Sequence, residues 1–123
     1  MTDALERLIE AVEADNSPPD TISSLAFDCG TQLRIYQRLV GFAYRGSLDA
    51  AKELHNALLP RWTACVGQNA HHGDWNAFVR LAQDGSITSE HWGGTDGKPA
   101  RAWLLAILRA KLAENHPRQE TSV

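Results

Sequence analysis

Asp74-Trp75-Asn76-Ala77-Phe78-Val79-Arg80-Leu81-Ala82-Gln83-Asp84-Gly85-Ser86 is the stretch on which the fold turns. Trp75, Ala77, Val79 and Leu81 alternate with Asp74, Asn76 and Arg80, the period of a strand with one apolar face. The Asp84-Gly85 pair favours a tight hairpin turn, because both residues tolerate positive φ. Upstream, Trp62, Ala64 and Val66 alternate with Arg61, Thr63 and Cys65, and Gly67 to Gly73 has the length of a hairpin loop. Downstream, Ile87 to Trp92 has mixed alternation and no clean apolar side, which suits an edge strand. Three antiparallel strands in a meander are expected.

Helical patterns flank this sheet. Over Asp3 to Ala14, Leu5, Leu8, Ile9 and Val12 share one face and Glu6, Glu10 and Glu13 the other, with Thr2 or Asp3 as cap. Pro18 and Pro19 end that pattern, so Asp15 to Asp20 reads as a loop or short linker. Residues 32–45 mix β-branched residues with a helical stripe. A helix is expected there, with Leu33, Tyr36, Val40 and Ala43 on one side and Arg34, Arg38 and Arg45 on another, although Gly41 weakens it by about 1 kcal/mol. Gly46 stops it, and Ser47 caps a helix with Asp49 and Glu53 in its first turns and Leu48, Ala51, Leu54, Leu58 and Leu59 as its buried face, ended by Pro60. After the strands, Gly93 to Lys98 reads as a loop, and Pro99 opens a last helix. In that helix Trp103, Leu104, Ile107, Leu108, Lys111 and Leu112 recur at helical spacing beside a strip of Ala102, Ala106, Ala110 and Ala113. His116-Pro117 closes it, and 117–123 reads as a disordered tail.

The fold class is therefore α+β: a small three-stranded antiparallel sheet packed with helices in α-β-α layers, in the order α-(α)-α-β-β-β-α. Residues 1–116 form one domain, with no internal repeat, heptad array or second domain.

Composition bounds the function. The 123 residues are 43% hydrophobic and 22% charged, ordinary globular usage that excludes disordered and collagenous chains. A net charge of −3 gives no overall positive field, so strong non-specific binding of a polyanion is not expected. The charge is segregated: the first twenty residues hold six acids and one base, and the remainder nine acids and eleven bases. Two cysteines, Cys29 and Cys65, with no CxxC pair suit reduced thiols rather than a disulfide or zinc framework. No apolar run is long enough to cross a bilayer and the amino end is acidic, so a soluble, cytoplasmic protein with no membrane association is expected.

Two stretches carry a family resemblance. Gly46-Ser47-Leu48-Asp49-Ala50-Ala51-Lys52-Glu53-Leu54-His55-Asn56-Ala57-Leu58-Leu59-Pro60-Arg61-Trp62 and Lys98-Pro99-Ala100-Arg101-Ala102-Trp103-Leu104-Leu105-Ala106-Ile107-Leu108-Arg109-Ala110 resemble the phage ABA sandwich domain. The pattern is a Leu-Asp-Ala-Ala helix ending in Leu-Pro-x-Trp, a variable set of strands, then a Pro-Ala-Arg-Ala helix. Arg61 stands where many members have Gly, which affects the turn into the first strand. The likeness covers 46–113 and makes 1–45 an amino-terminal helical extension. It implies an α-β-α fold and a small accessory role in a bacteriophage, a prophage or the host cell. It implies no reaction and no catalytic residue.

Several residue groups carry possible chemistry. His71, His72 and Asp74 with Cys65 and His91 could converge on a transition metal, yet adjacent histidines in a Gly- and Asn-rich loop are also ordinary polar turn residues. Cys65 with a histidine could form a nucleophile and base, whereas a cysteine alternating along a strand is commonly an inert small hydrophobe. Gly93-Gly94-Thr95-Asp96-Gly97-Lys98 before a helix resembles a phosphate-cradling loop. However, Trp92 stands at the first Gly position of the Walker pattern and Pro99 at its hydroxyl position, which leaves at most a weak anion site on Lys98 and Arg101. Of Trp62, Trp75, Trp92 and Trp103, only Trp92, beside Glu90 and His91, falls off an apolar face and invites a surface role. The helix-strand-strand-strand-helix order of 47–114 also matches double-stranded RNA-binding domains, without their lysine cluster.

The expectation is a non-enzymatic phage or prophage accessory protein that binds a host or defence-system protein, a counter-defence role. Its surface would be the acidic helix (Glu6, Glu10, Glu13), the third-strand edge (Glu90, Trp92), or Lys98 and Arg101. No cofactor is expected, and a homodimer is compatible with the pattern. The alternatives are a nucleic-acid or nucleotide-binding module using Arg34, Arg38 and Arg45 or Lys98 and Arg101, and a small metalloprotein or enzyme built on Cys65, His71, His72 and His91.

Overall fold

The computed structural model of the chain describes residues 2–14, 16–68, 74–96 and 98–114. Its elements are α1 (Thr2–Ala14), α2 (Pro19–Phe27), α3 (Thr31–Ile35), α4 (Gln37–Arg45), α5 (Leu48–Leu58), β1 (Thr63–Gln68), β2 (Asp74–Gln83), β3 (Ser86–Asp96) and α6 (Pro99–Glu114). This is an α+β fold with helices first, an antiparallel meander next and a helix last, the order that periodicity predicts. The tail read as disordered, 117–123, lies outside the described residues.

The apolar stripe of α1 does what its spacing implies: Leu5, Leu8, Ile9 and Val12 are buried while Glu6, Glu10 and Glu13 are exposed. The linker after it is shorter than expected. Pro18 is extended and Pro19 takes the first helical position of α2, where a missing N–H costs nothing, so the prolines that end one pattern also start a helix with Ile22 and Ala26 buried. The helix expected over 32–45 is broken at Tyr36 (φ −101°, ψ 19°) into α3 and α4. Leu33, Val40 and Ala43 nevertheless reach the core while Arg34, Arg38 and Arg45 stay exposed. Gly46 ends α4 in the left-handed conformation (φ 119°), and Ser47 Oγ accepts the Ala50 amide at 3.1 Å to cap α5. Leu48, expected on the buried face of α5, is 46% exposed; Ala50, Ala51, Leu54, His55 and Leu58 form that face instead.

The sheet has the order β1-β2-β3 with both neighbours antiparallel. Asp84 (φ 54°) and Gly85 (φ 80°) make the two-residue turn between β2 and β3. A bulge interrupts the ladder just beyond it: Ala82 faces Ile87 but Leu81 faces Ser89, so Thr88 is an extra residue. From there on, Trp75, Ala77, Val79 and Leu81 share a face with Ser89, His91 and Gly93, whereas Asn76, Phe78 and Arg80 share the opposite face with Cys65, Glu90 and Trp92.

Among the described residues, only the first of these faces is covered. The sheet lies on α6, and α1, α4 and α5 pack on the remaining sides of α6. Ala100, Arg101, Ala102, Leu104, Leu105, Ala106, Ile107, Leu108 and Ala110 are accordingly all buried, as in a helix enclosed between layers. The stacking is thus sheet, α6, remaining helices, in place of the α-β-α layers expected. The amino-terminal helices find apolar surface on α6, and the second face of the sheet carries Asn76, Arg80 and Glu90 and offers them less. One core cluster runs from Leu5 to Ala110 and includes both the amino-terminal helices and the part resembling the phage domain.

Two contacts fix α6. At Gly93 the strand approaches so closely that a Cβ would lie 2.3 Å from the Ala102 carbonyl oxygen and 2.8 Å from the Ala106 nitrogen. Strand glycine and helix alanines together allow that approach. At the opposite side, Arg101 donates from Nε (3.0 Å) and Nη2 (2.7 Å) to the Tyr44 carbonyl and stacks its guanidinium 3.8 Å from the Tyr44 ring centroid. Tyr44 in turn donates its hydroxyl to the Ser17 carbonyl at 2.6 Å. Among the described residues, no helix is long and apolar enough to cross a membrane.

Candidate binding face of the sheet

The uncovered face is built from cross-strand pairs. Cys65, Phe78 and Trp92 form one row across β1, β2 and β3, and Arg80 and Glu90 pair directly in the next. Phe78 and Trp92 pack at 4.8 Å between centroids and 47° between planes, with Trp92 50% exposed. The Arg80 guanidinium lies 4.2 Å from the Phe78 centroid, and its Nε donates to Glu90 at 2.8 Å. Glu90 also accepts from the Trp92 side chain, and the Arg80 and Trp92 hydrogen bonds together hold its carboxyl below the usual range. Four side chains therefore orient one another: a charge pair beside an aromatic pair, each sharing a contact with the other. The charges cancel, and the aromatic surface stays open to solvent.

Beside this quartet is a hollow of about 260 Å³ lined by Cys65, Gly67, Gln68, Asn76, Phe78 and Trp92. From the covered face, β3 is anchored by Arg109, which donates to the Trp92 carbonyl at 2.6 Å and pairs with Glu13 of α1.

The proposed metal group does not assemble as read. Cys65 is exposed on the open face, while His91 lies on the α6 face, its ring 6.0 Å from that of Trp62 and its pKa lowered by burial. Opposite faces of a sheet do not share a ligand. His71 and His72 lie outside the described residues, and among those described no group of three His, Cys, Asp or Glu could hold a metal ion. The phosphate-loop reading also changes: Gly93 to Asp96 are strand residues of β3, Gly97 lies outside the described residues, and Lys98 precedes α6 half-buried. Arg101 is corrected from surface anion ligand to buried structural residue, 5% exposed and committed to Tyr44.

The acidic helix divides. Glu13 is tied to Arg109, whereas Glu6 and Glu10 border an open groove of about 310 Å³ with Ile9 and Leu112. On the far side, Arg38, Phe42 and Arg45 of α4 line a groove of about 240 Å³ against Pro19, Asp20 and Ser23 of α2. Sequence reasoning missed Phe78, Arg80 and Asn76 as site residues. The available signal was an aromatic, a base and an amide on the non-apolar positions of a single strand.

His55 is a buried histidine with a structural role. The Trp103 indole N–H donates to its Nδ1 at 3.4 Å, so its Nε2 carries the proton and donates to the Trp62 carbonyl at 2.8 Å. No family model matches the chain, and neither a curated protein nor a solved structure matches it.

Proposed function

We propose that this chain is a non-enzymatic binding protein, of the phage or prophage accessory kind its sequence resembles, that holds a host or phage protein against the open face of its sheet. One observation carries the reading: Trp92 stands half-exposed on Phe78, oriented by the Glu90–Arg80 pair rather than by the core. Pre-oriented aromatic surface with a self-neutralised charge pair at its edge has the composition of a protein-interface hot spot. Cytoplasmic action in a bacterial cell follows from the same resemblance.

A photo-reactive residue at Ile87, exposed on this face, tests it. In the bacterial host it is expected to cross-link one protein, and Trp92→Ala is expected to remove that product. Cross-linking from Glu10 but not from Ile87 would move the site to the acidic helix and sink the reading. A second reading, nucleic-acid binding, is supported by the Arg38, Phe42 and Arg45 groove, where an aromatic sits between two bases on one helix face. Its signature is affinity that falls steeply with added salt and is lost in Arg38→Ala/Arg45→Ala.

A further inference from the structure

Gly67, Asn76 and Gly94 form a row across the three strands, next to the row Cys65, Phe78 and Trp92. The outer positions of the first row have no side chain, so the sheet surface drops on both sides of Asn76 while thiol, phenyl and indole rise beside it. Neither glycine is there for its backbone: positive φ occurs at Gly30, Gly46 and Gly85, not at these two. A Cβ on Gly67 would meet nothing within 4 Å, and one on Gly94 would lie 2.9 Å from Asn76 Oδ1. What the glycines do is keep the floor bare and let the carboxamide lie across it.

The walls state what fits. The lining side chains are uncharged; on one side Arg80 and Glu90 neutralise each other, and on the other Asp74 stands on the same face one row beyond Asn76, so the hollow favours an uncharged occupant over an anion. The Trp92 indole along one side favours a planar ring. A carboxamide on the floor presents a donor next to an acceptor and pairs with a ring edge of complementary pattern, as asparagine does with adenine. The volume of about 260 Å³ suits one heterocycle rather than a larger ligand.

We propose that this hollow binds a single neutral nucleobase, stacked on Trp92 with its polar edge on the Asn76 carboxamide. The site goes beyond the protein-binding reading but shares Trp92 with it; Gly67→Val, which fills the hollow and leaves Trp92 and the Ile87 end of the face in place, separates the two. The base is either that of a free nucleoside or an unpaired base in a single strand; both present the same ring, whereas a duplex hides it.

The test is a titration of the full chain, isotopically labelled, with adenosine in one arm and a short deoxyadenosine single strand in the other. Saturable shifts are expected at the Trp92 indole N–H and the Asn76 side-chain amide. Equal affinity per base in the two arms identifies the free base as ligand; tighter, salt-dependent binding of the strand identifies a strand. Asn76→Leu is expected to weaken binding about tenfold, about 1.4 kcal/mol. Gly67→Val fills the hollow from a position open to a side chain and is expected to abolish the shifts while the spectrum of core amides such as Val79 stays intact. No saturable shift in either arm, or binding that survives Gly67→Val, overturns the proposal.

Discussion

Phe78 and Trp92 face each other across β2 and β3 with ring centroids 4.8 Å apart, on the side of the sheet that, among the described residues, no helix covers. The pair stabilises the hairpin modestly, since such contacts contribute about 0.5–1.5 kcal/mol beyond area burial. Trp92→Ala, which also gives up the buried half of the indole, is therefore expected to cost about 2–3 kcal/mol in urea denaturation while removing partner cross-linking entirely. A loss of about 5 kcal/mol, the upper end for a core tryptophan, would make Trp92 a core residue and remove the reason for calling this face a binding surface.

Gly93 imposes a different requirement. A methyl group there would meet the Ala102 carbonyl oxygen, Leu105 Cβ at 2.7 Å and the Ala106 nitrogen, and two of these are helix backbone that cannot rotate aside. Gly93→Ala is expected to destabilise by at least ~3 kcal/mol, as overpacking between rigid elements does. Gly67→Ala, which adds the same atoms into open space, is expected to stay within about 0.5 kcal/mol. Chemical denaturation midpoints of the two variants give the comparison.

What could be read from the sequence, and what could not, follows from the range of the interactions involved. The β2–β3 hairpin and the α1 stripe rest on local periodicity and a turn dipeptide, so they are legible. The faces of β3 are not, because the bulge at Thr88 decides them. Strict counting back from Asp84-Gly85 would pair Phe78 with His91 and turn Trp92 toward α6; one extra residue reverses both. The role of Arg101 depends on Tyr44, 57 positions away, and an arginine near a helix start reads locally as surface. The Gly93-Gly94 pair reads as a loop, since nothing nearby announces that one glycine admits a helix and the other leaves room for the Asn76 carboxamide across the strand. Pro19 reads as a stop although it is a start.

Arg101 offers a direct check of its reassignment. Its two hydrogen bonds and ring stacking hold the carbonyl and ring of Tyr44, and through the Tyr44 hydroxyl they connect α6 to the segment between α1 and α2. Arg101→Leu is expected to cost about 2–4 kcal/mol, the loss of two charge-assisted bonds to a buried carbonyl. Arg101→Lys recovers little, because a point charge cannot reproduce the planar fork. Full stability in either variant would return Arg101 to the list of surface ligands.

The two cysteines should differ in reactivity. Cys29 donates to the Leu25 carbonyl at 3.1 Å, and burial, with Asp28 adding to it, pushes its thiol up to about 11. Cys65 is exposed on the open face. With a disulfide reagent at about pH 8, one fast thiol and one slow thiol are expected, since the thiolate is the reactive form. Cys65→Ser removes the fast phase, whereas removal of the fast phase by Cys29→Ser would refute the assignment.

His91 sets the acid side of the stability profile. Its ring sits against Trp62 on the α6 face; burial lowers its pKa below the ordinary 6.5, and Glu114 opposes that shift without cancelling it. Because the folded chain holds this proton less tightly than the unfolded chain, the unfolded state binds more protons in the window between the two values. Stability from this group is complete above about pH 6.5 and falls as the pH drops toward the folded value, below which its contribution no longer changes. His91→Gln removes that part of the slope and leaves the titration of the other groups. Urea midpoints of both proteins between about pH 5 and pH 8 are expected to diverge on the acid side, the native chain losing more. Parallel curves would mean that His91 is no more buried in the folded chain than in the unfolded one, and that the bulge does not turn it toward α6.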